Sequence, residues 1–284
     1  MSADAPHGNP NIPVGIDPTR ASVARVYDFL LGGKDNYKID RQVAAELAAT
    51  MPDVVDLARE NRAFLTRVSR FVAKLTDVHQ YLDLGSGLPT AENIHQIVQR
   101  INPESKVVYV DNDPVVLAHG RALLEENELT RLVGADIFEP SSILDNDVVR
   151  SHLDWEQPIA LFCLSVLHNH KGERQEPAKV MRRYVEALPP GSYLAISHFY
   201  DPGNADRSAV RHLEDTAARG SLGGATSRTK DEILEFFEGL ELVKPNATGE
   251  PDIVELVNWW PDGPRLKPLN VAQRIMAGGA ARKP

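Results

Sequence analysis

Residues 79–93, with the sequence HQYLDLGSGLPTAEN, are the stretch that decides the fold. The first half alternates around apolar residues over 81–84, which predicts a short buried strand. Gly85 and Gly87 end that strand, and Thr90 is placed to cap a following helix. The apolar face of that helix consists of Ile94, Ile97, Val98 and Ile101. The stretch therefore predicts a strand, a glycine turn and a helix, with a turn backbone that can approach a ligand closely.

The glycine turn is compatible with two nucleotide ligands. A dinucleotide fingerprint requires Gly-x-Gly-x-x-Gly, but Thr90 occupies the third glycine position and Pro89 precedes it. Asp83 lies two residues before the first glycine, where a dinucleotide site usually has an apolar residue. The run from Asp83 to Gly87 instead resembles the first motif of class I methyltransferases, which bind S-adenosylmethionine. The turn therefore favours S-adenosylmethionine over a nicotinamide dinucleotide, with a plain strand-to-helix turn as a third interpretation.

The composition argues against several classes of protein. Of the 284 residues, 42% are hydrophobic and 25% are charged, which suits one large α/β domain with additions or two smaller domains. A net charge of −9 argues against non-specific binding to nucleic acid, so we expect no nucleic-acid partner. The sequence shows neither a membrane-length apolar run nor a signal-peptide pattern, so we expect no membrane partner and a cytoplasmic location.

The single cysteine and the histidines give little indication of redox or metal chemistry. Cys163 lies in an apolar run and is expected to pack as a small buried hydrophobic residue. His168, His170 and His198 are not accompanied by a cysteine or a carboxylate-rich motif. Because such partners normally complete a transition-metal site, we predict no metal.

Helical patterns precede the glycine turn. Residues 1–18 are rich in proline and polar residues and are expected to form a disordered lead-in, while residues 19–76 are expected to form a helical cap. The long helix predicted over 53–75 has an apolar stripe that includes the polar Asn61, with Arg62 beside it. A polar residue on a buried face needs a partner, so Asn61 either makes a structural hydrogen bond or contacts a ligand.

Polar residues end the predicted strands that follow the turn. Asp111 ends the second strand, 24 residues after Gly87, near the spacing of about 20 at which an acidic residue binds a ribose hydroxyl. An acid in a surface turn is the alternative interpretation. Asp136 ends the third strand, and Ser165 follows the fourth. Because the carboxyl ends of parallel strands lie along one edge, Gly85 and these three side chains are expected to form one ligand site.

The alternation of strands and helices defines the expected fold class. It predicts an α/β protein with a mostly parallel sheet and helices on both faces. Five strands end with residues 193–197, and two short candidates near 242–243 and 253–257 bring the expected number to seven. We assign residues 77–270 to this domain and residues 271–284 to a tail, which we expect to be loose from Gly278 onward.

The motifs together resemble those of the bacterial S-adenosyl methyltransferase family, formerly a domain of unknown function. The similarity extends over nearly the whole chain and is most specific in the leading block, residues 24–37, with the sequence ARVYDFLLGGKDNY. Further matching segments are residues 60–65, 83–90, 109–114, 166–168 and 239–243. The resemblance implies a Rossmann-like class I methyltransferase fold and S-adenosyl-L-methionine as the cofactor, but it supplies no substrate.

The resemblance also implies roles for individual residues. Gly85 and Gly87 would contact the methionine part of the cofactor through their backbone. Asp111 would hold the ribose hydroxyls, and Asp136 would accept from the adenine amino group beside the Ile137 backbone. Other positions of the same motifs that are assigned to cofactor binding are Asp83, Ser86, Thr90, Asn112 and Ser165, the last facing the sulfonium and the substrate.

The cap and the fourth strand supply the remaining candidates. Asn36 and Tyr37 belong to the polar loop of the leading block and are expected near the ligand. Arg62 is the candidate for the cofactor carboxylate, since a guanidinium can pair with it bidentately. His168, three residues beyond Ser165, is the best candidate for a general base if the acceptor is a hydroxyl. A simple hydrogen bond from His168 to its own loop is the alternative.

The predicted function is S-adenosylmethionine-dependent O- or N-methylation of a small molecule. Residues 164–167 read LSVL, where many DNA and protein amide methyltransferases have Asn/Asp-Pro-Pro-Tyr/Phe. This difference argues against methylation of amino groups on bases. A nicotinamide-dependent oxidoreductase and a non-catalytic S-adenosylmethionine-binding protein are the alternatives. The sequence specifies neither the acceptor nor the oligomeric state.

Overall fold

A mixed, mostly parallel β-sheet forms the centre of the molecule. The computed structural model describes residues 16–89, 92–123, 128–219 and 222–284. Its strands are β1 (Gln80–Leu84), β2 (Lys106–Asp111), β3 (Thr130–Gly134), β4 (Ala160–Leu164), β5 (Tyr193–Phe199), β6 (Glu241–Leu242), β7 (Val254–Glu255) and β8 (Met276–Arg282). The sheet order is β3-β2-β1-β4-β5-β8-β6, with β7 also paired to β8. Strands β1 to β5 pair in parallel, which confirms the predicted fold class.

Helices cover both faces of the sheet, as the alternation predicts. They are α1 (Val23–Leu30), α2 (Lys38–Thr50), α3 (Val54–Leu75), α4 (Ile94–Gln99), α5 (Pro114–Leu123), α6 (Ser141–Leu144), α7 (Asp147–His152), α8 (Glu176–Ala187), α9 (Arg207–Arg219), α10 (Lys230–Leu234) and α11 (Val271–Arg274). The core on one face includes buried residues of α1 to α4, α9 and α11. The core on the other face includes buried residues of α6, α7, α8 and α10.

The central strands contribute to both cores because successive side chains of a strand point to opposite faces. On β1, Tyr81 lies in the core that α3 covers, and Leu82 lies in the opposite core. Asp83 comes two residues after Tyr81 and therefore shares its face. Since α3 carries Arg62, the alternation of one strand brings the Asp83 carboxyl and a guanidinium to the same side of the sheet.

The helix after the glycine turn begins later than the sequence suggests. Thr90 was the predicted N-cap, but α4 begins at Ile94, and Asn93 and Gln96 form a reciprocal capping box at its start. Asn93 satisfies the same preference for a short polar cap residue as Thr90. Thr90 itself lies outside the described residues, as does almost all of the predicted lead-in over residues 1–18.

Residues 276–282 are part of the sheet, which corrects the prediction that the tail is loose from Gly278 onward. Strand β8 pairs antiparallel with β5 along its whole length and gives the sheet eight described strands instead of seven. The sequence of β8, MAGGAAR, has no alternation of large apolar residues that would reveal a strand. Its small residues are required by close packing, because a Cβ added at Gly278 would lie 2.3 Å from the Ile196 carbonyl oxygen.

The N-terminal helices share a core with the sheet. Phe64, Val68 and Val72 of α3 are fully buried against it. A buried ion pair between Arg25 and Asp40, with 2.7 Å between Nε and Oδ2, joins α1 to α2. Within the described residues, no helix combines the length and apolar character needed to span a membrane.

Candidate active site

A cleft of about 630 Å³ lies at the carboxyl ends of the first four strands. Its lining brings together most of the residues that the sequence places in one site: Arg62, Asp83, Gly85, Ser86, Gly87, Asp111, Asn112, Asp136, Ile137 and Ser165. Helix α1 and the residue before it close one side with Ser22, Val23, Ala24 and Tyr27. The cleft is therefore formed between the edge of the parallel sheet and the first helix.

The glycine turn is fixed by the neighbouring strands. Gly85 has a φ of +77°, and a Cβ added there would lie 2.6 Å from Val166 Cγ2. The N–H groups of Gly85 and Ser86 donate to the carbonyl oxygen of Val110 at 2.8 and 3.1 Å. Gly87 has a φ of +66°, but a Cβ added there would meet no atom of the described residues within 4 Å. Gly85 is thus required by packing, whereas Gly87 borders open space in the cleft.

Asp111 connects the end of β2 to the glycine turn. Its Oδ2 accepts from the Gly87 N–H at 2.8 Å, and its Oδ1 accepts from the Asp113 N–H at 2.9 Å. Burial raises the pKa of Asp111, while these backbone donors oppose that rise. Each carboxylate oxygen can accept more than one hydrogen bond, so Asp111 retains capacity for hydroxyl donors from a ligand.

Asp83 and Arg62 form the charged end of the cleft. Burial raises the pKa of Asp83 to about 7, while the Arg62 charge lowers it. The Arg62 guanidinium donates to the Glu92 carbonyl oxygen and to Asn93 Oδ1, the latter at 3.4 Å. Burial lowers the pKa of Arg62, and the carboxylates around it, including Asp83, raise it. A buried carboxyl and a half-buried guanidinium thus both line the cleft, where they offer acceptor and donor capacity.

The residues that follow β3 form the other end of the cleft. Asp136 Oδ1 accepts from the Phe138 N–H at 2.9 Å, and the Ile137 carbonyl oxygen accepts from the Tyr184 hydroxyl at 2.9 Å. The rings of Phe138 and His170 lie 4.7 Å apart by centroid and both line the cleft. This end therefore offers a carboxylate beside an aromatic wall.

Ser165 lies where the cleft meets a second, smaller cavity. Its φ of +55° is unusual for a residue with a side chain, and its N–H donates to the Ser197 carbonyl oxygen at 3.0 Å. Backbone strain of this kind is concentrated at functional sites, because the surrounding structure must hold it in place. Ser165 contributes to the lining of both spaces.

His168 lies in the wall of the second cavity and does not line the cleft. It is 5% exposed, and its ring stacks on Phe199 with 4.1 Å between centroids. Burial lowers the pKa of His168 well below its usual value, and the neighbouring His198 lowers it further. Among the described residues its Nδ1 has no hydrogen-bond partner.

Two of the cap residues expected near the ligand lie elsewhere. The Asn36 side-chain amide donates to Asp28 Oδ2 at 2.8 Å and so holds the polar loop to α1. Tyr37 precedes α2, and the Arg25 guanidinium lies 5.0 Å from the centre of its ring. Neither residue lines the cleft, because the polar loop folds back on the buried Asp28 carboxyl. The leading block supplies Tyr27 to the site instead.

A hydrogen-bond network that sequence reasoning did not identify joins the cap to the sheet. The Tyr27 hydroxyl donates to the Ala58 carbonyl oxygen at 3.0 Å and accepts from the Asn61 amide at 3.0 Å. The Ser197 hydroxyl of β5 donates to Asn61 Oδ1. Asn61 therefore makes structural hydrogen bonds and also lines the cleft. The signal in the sequence was a tyrosine on the apolar face of α1.

The cleft fits S-adenosylmethionine by its chemistry. Asp111, at the end of β2, offers acceptors for a ribose, and Asp136 offers an acceptor for an adenine amino group. At the other end, Arg62 and Asp83 offer one charge of each sign for the carboxylate and ammonium of an amino acid. Among the described residues, no three His, Cys, Asp or Glu side chains are grouped as a metal site requires. A parallel sheet with these side chains along its carboxyl edge is compatible with an S-adenosylmethionine site.

Comparison with known proteins agrees with this type of site. The family model of the S-adenosyl methyltransferases matches residues 11–284, so the chain belongs to this family. A candidate methyltransferase from Thermobifida fusca YX is 38% identical, with 97% of this chain and 99% of that chain covered and a TM-score of 0.88. A DUF574 family protein from Streptomyces avermitilis MA-4680 is 37% identical, with 93% and 98% covered and a TM-score of 0.85.

The family decides between the ligands that the glycine turn left open. The protein is an S-adenosylmethionine-dependent methyltransferase, and the nicotinamide interpretation is not supported. The cofactor is S-adenosyl-L-methionine. No curated protein matches the chain in sequence.

Proposed function

We propose that the protein methylates a hydroxyl or amino group of a small molecule. The observation that carries this proposal is the cleft, whose side chains are those expected to bind one cofactor molecule. Ser165, with its strained backbone, lies where this cleft adjoins the second, smaller cavity. The bound cofactor supplies an electrophilic methyl group, so that the acceptor atom bonds to carbon while the carbon–sulfur electron pair stays on sulfur. Alignment and exclusion of water are the main tasks of the protein.

The two ends of the cleft hold opposite ends of the cofactor. Arg62 pairs with the carboxylate of the methionine part, and the ionised Asp83 pairs with its ammonium group. Asp111 accepts from the ribose hydroxyls, and Asp136 accepts from the adenine amino group. Gly87 provides open backbone beside the ligand, since no side chain occupies the space where its Cβ would be.

Helix α1 acts as a cap over the cofactor rather than as part of a separate domain. Its residues Val23, Ala24 and Tyr27 line the cleft, and the Ser22 hydroxyl before it donates to Asp113 Oδ2 at the end of β2. The cap helices share the core of the sheet. A helix fixed in this way excludes water from the methyl group without a large movement.

His168 serves as the general base when the group that receives the methyl is a hydroxyl. Its buried ring is neutral at pH 7, because burial and His198 lower its pKa. A neutral imidazole has one nitrogen that can accept a proton, and Nδ1 has no partner among the described residues. The hydroxyl proton would pass to this nitrogen as the new bond to the methyl carbon forms.

Calorimetric titration with S-adenosylmethionine and with NAD tests the cofactor site. We expect S-adenosylmethionine to bind and NAD not to bind. Asp111→Asn keeps an acceptor oxygen but removes the charge, so it should weaken binding by about ten- to a hundred-fold, equivalent to roughly 1.5–3 kcal/mol. Asp147→Asn, on the exposed start of α7, is the matched control and should bind normally. Normal affinity in a correctly folded Asp111→Asn protein would overturn the ribose assignment.

A further inference from the structure

The second cavity, which we call the rear cavity, lies behind Ser165 and has a volume of about 100 Å³. Its walls come from α1, α2, α3 and α9 together with β5 and β8. Val26, Leu47, Leu57, Leu213, Phe199 and Met276 are the main apolar side chains of these walls. These residues lie far apart in the sequence, so tertiary packing alone creates the cavity.

The rear cavity adjoins the cofactor cleft. Val23, Tyr27, Ser165 and Asn169 line both spaces. Tyr27 is held there by its hydrogen bonds to Ala58 and Asn61. A molecule in the rear cavity would therefore lie next to the cleft, at a junction formed by these shared side chains.

The lining of the rear cavity selects against charge. None of its described lining residues is Asp, Glu, Lys or Arg, and His168 is neutral because of its burial. A charged group in such surroundings would lose its hydration without gaining an ionic partner. The polar side chains of its lining, those of Tyr27, Ser165, His168 and Asn169, are uncharged. Tyr27, Ser165 and Asn169 also line the cleft, so a polar group of a ligand finds its hydrogen-bond partners at this boundary.

We propose that the rear cavity binds the apolar part of the methyl acceptor, and that the acceptor is an uncharged small phenol or branched alcohol. Its hydroxyl lies at the junction beside Ser165, and His168 lies in the adjoining wall of the rear cavity. This inference rests on the proposed function and specifies the substrate class of the same site. In the transfer, the acceptor oxygen bonds to the methyl carbon, the carbon–sulfur bond breaks with its electron pair on sulfur, and the hydroxyl proton passes to His168.

The volume limits the size of the apolar part. An apolar cavity of about 150 Å³ holds one benzene molecule. At about 100 Å³ the rear cavity accepts a group no larger than a phenyl ring, one edge of which would extend into the junction. Long acyl chains and fused polycyclic groups are therefore excluded from this position.

Binding of phenol to the full-length protein tests the inference. The protein is saturated with S-adenosylhomocysteine, and phenol and benzoate are titrated by ligand-observed NMR. Phenol matches the proposed shape with an uncharged hydroxyl, and benzoate has the same ring with a negative charge. We expect phenol to bind and benzoate to bind at least about tenfold more weakly, because the cavity offers no cationic partner.

Matched variants on α9 locate the binding. Ala217 lines the rear cavity, whereas its neighbour Ala218 is exposed. Ala217→Leu should fill the cavity and weaken phenol binding by about tenfold or more, while Ala218→Leu should leave it unchanged. Ala225→Leu fills the cavity from a loop and provides the same test if Ala217→Leu does not fold. Circular dichroism and the affinity for S-adenosylhomocysteine establish that each variant is intact.

The outcomes separate this inference from the proposed function. Failure of the unmodified protein to bind S-adenosylmethionine would overturn the proposed function. If the cofactor binds normally but phenol binds equally to the Ala217→Leu and Ala218→Leu proteins, the rear cavity is not the acceptor site. Equal or tighter binding of benzoate would also overturn the substrate class. Loss of phenol binding in Ala217→Leu and Ala225→Leu alone, with intact cofactor binding, supports the inference.

Discussion

The cofactor cleft and the rear cavity are built in different ways. The cleft is about 630 Å³ and is surrounded by carboxylates and a guanidinium, whereas the rear cavity is about 100 Å³ and is almost entirely apolar. Most cleft residues directly follow a strand, so a few short motifs specify the cleft. The rear cavity is formed by separate helices that meet only in the folded protein. In this protein, therefore, local sequence encodes the cleft, and tertiary packing encodes the rear cavity.

The largest effect is expected from the replacement of His168, which lines the rear cavity and not the cleft. This variant tests whether the two regions act independently. His168→Ala should lower turnover by roughly 10²–10⁴ if it accepts the proton, with unchanged cofactor affinity, since it does not line the cleft. The acceptor for this assay is found by incubating cell extract with methyl-labelled cofactor. His212→Ala, on the exposed face of α9, is the control and should have normal turnover.

The pH profile of turnover sharpens the same test. The base form of a histidine exists above its pKa, and burial lowers the pKa of His168 well below its usual value. The rate should therefore stay constant through pH 6.5 and fall only in more acidic solution. This differs from the expectation for an exposed histidine, whose usual pKa would place the fall near pH 6.5. Near-normal turnover of the His168→Ala protein would contradict its role as proton acceptor. The contribution of this region to catalysis would then be limited to alignment of the methyl acceptor.

Gly85→Ala is expected to have the next largest effect, on the free energy of unfolding. The new Cβ would meet Val166 at 2.6 Å with φ at +77°, so destabilisation of roughly 2–4 kcal/mol is expected from strain and overpacking together. Gly87 also has a positive φ, of +66°, but no close neighbour among the described residues, so Gly87→Ala should cost only about 1–2 kcal/mol. Urea unfolding measures both values. Equal destabilisation would show that packing against Val166 is unimportant.

Arg62→Met tests the charged end of the cleft. It should weaken binding of S-adenosylhomocysteine by about ten- to a hundred-fold, because the amino acid carboxylate loses its partner. Methylthioadenosine has no such carboxylate, so its affinity should change little. Arg59→Met, on the exposed side of α3, is the matched control. Equal losses for the two ligands would show that Arg62 acts through general structure and not through the carboxylate.

The smallest effect expected is a pH-dependent change in stability caused by Asp83. Its pKa is about 7 in the folded protein and near 3.8 when unfolded, so folding favours the protonated form. The associated stability is complete below pH 3.8 and is lost as the pH rises through about 7. Relative to Asp83→Asn, the unliganded protein should therefore lose roughly 1–3 kcal/mol between pH 5 and pH 8. Urea unfolding at both pH values measures it, and no change relative to Asp83→Asn would contradict the burial of this charge.

The parts of the fold that the sequence predicts are those with a strong local signal. Gly85, Asp111, Asp136 and Ser165 converge as expected because each follows a buried strand of a parallel sheet. The sequence also places Arg62 in the site, since its position on the long helix is fixed by the apolar stripe. In these cases the hydrophobic periodicity of one element, or one short motif, is sufficient to locate the residue.

The parts that the sequence misses depend on contacts between distant segments. Asn36 and Tyr37 belong to a polar loop, but its direction is set by the buried Asp28 and by the Arg25–Asp40 ion pair. Residues 276–282 lack a strand pattern, because their small side chains are selected by close packing. The rear cavity has no motif at all, since its lining residues also read as ordinary core positions.

The position of β8 within the sheet has a consequence for folding kinetics. Among the described strands, β6 and β7 each pair with β8 and with no other strand, and β8 is also the partner of β5. Neither short strand can form its ladder before β8 has docked, and that docking joins segments about 80 residues apart, at the entropic cost of a long loop. We therefore expect the amides of β6, β7 and β8 to become protected from hydrogen exchange in one late step. The same amides should open together as a single unit under native conditions.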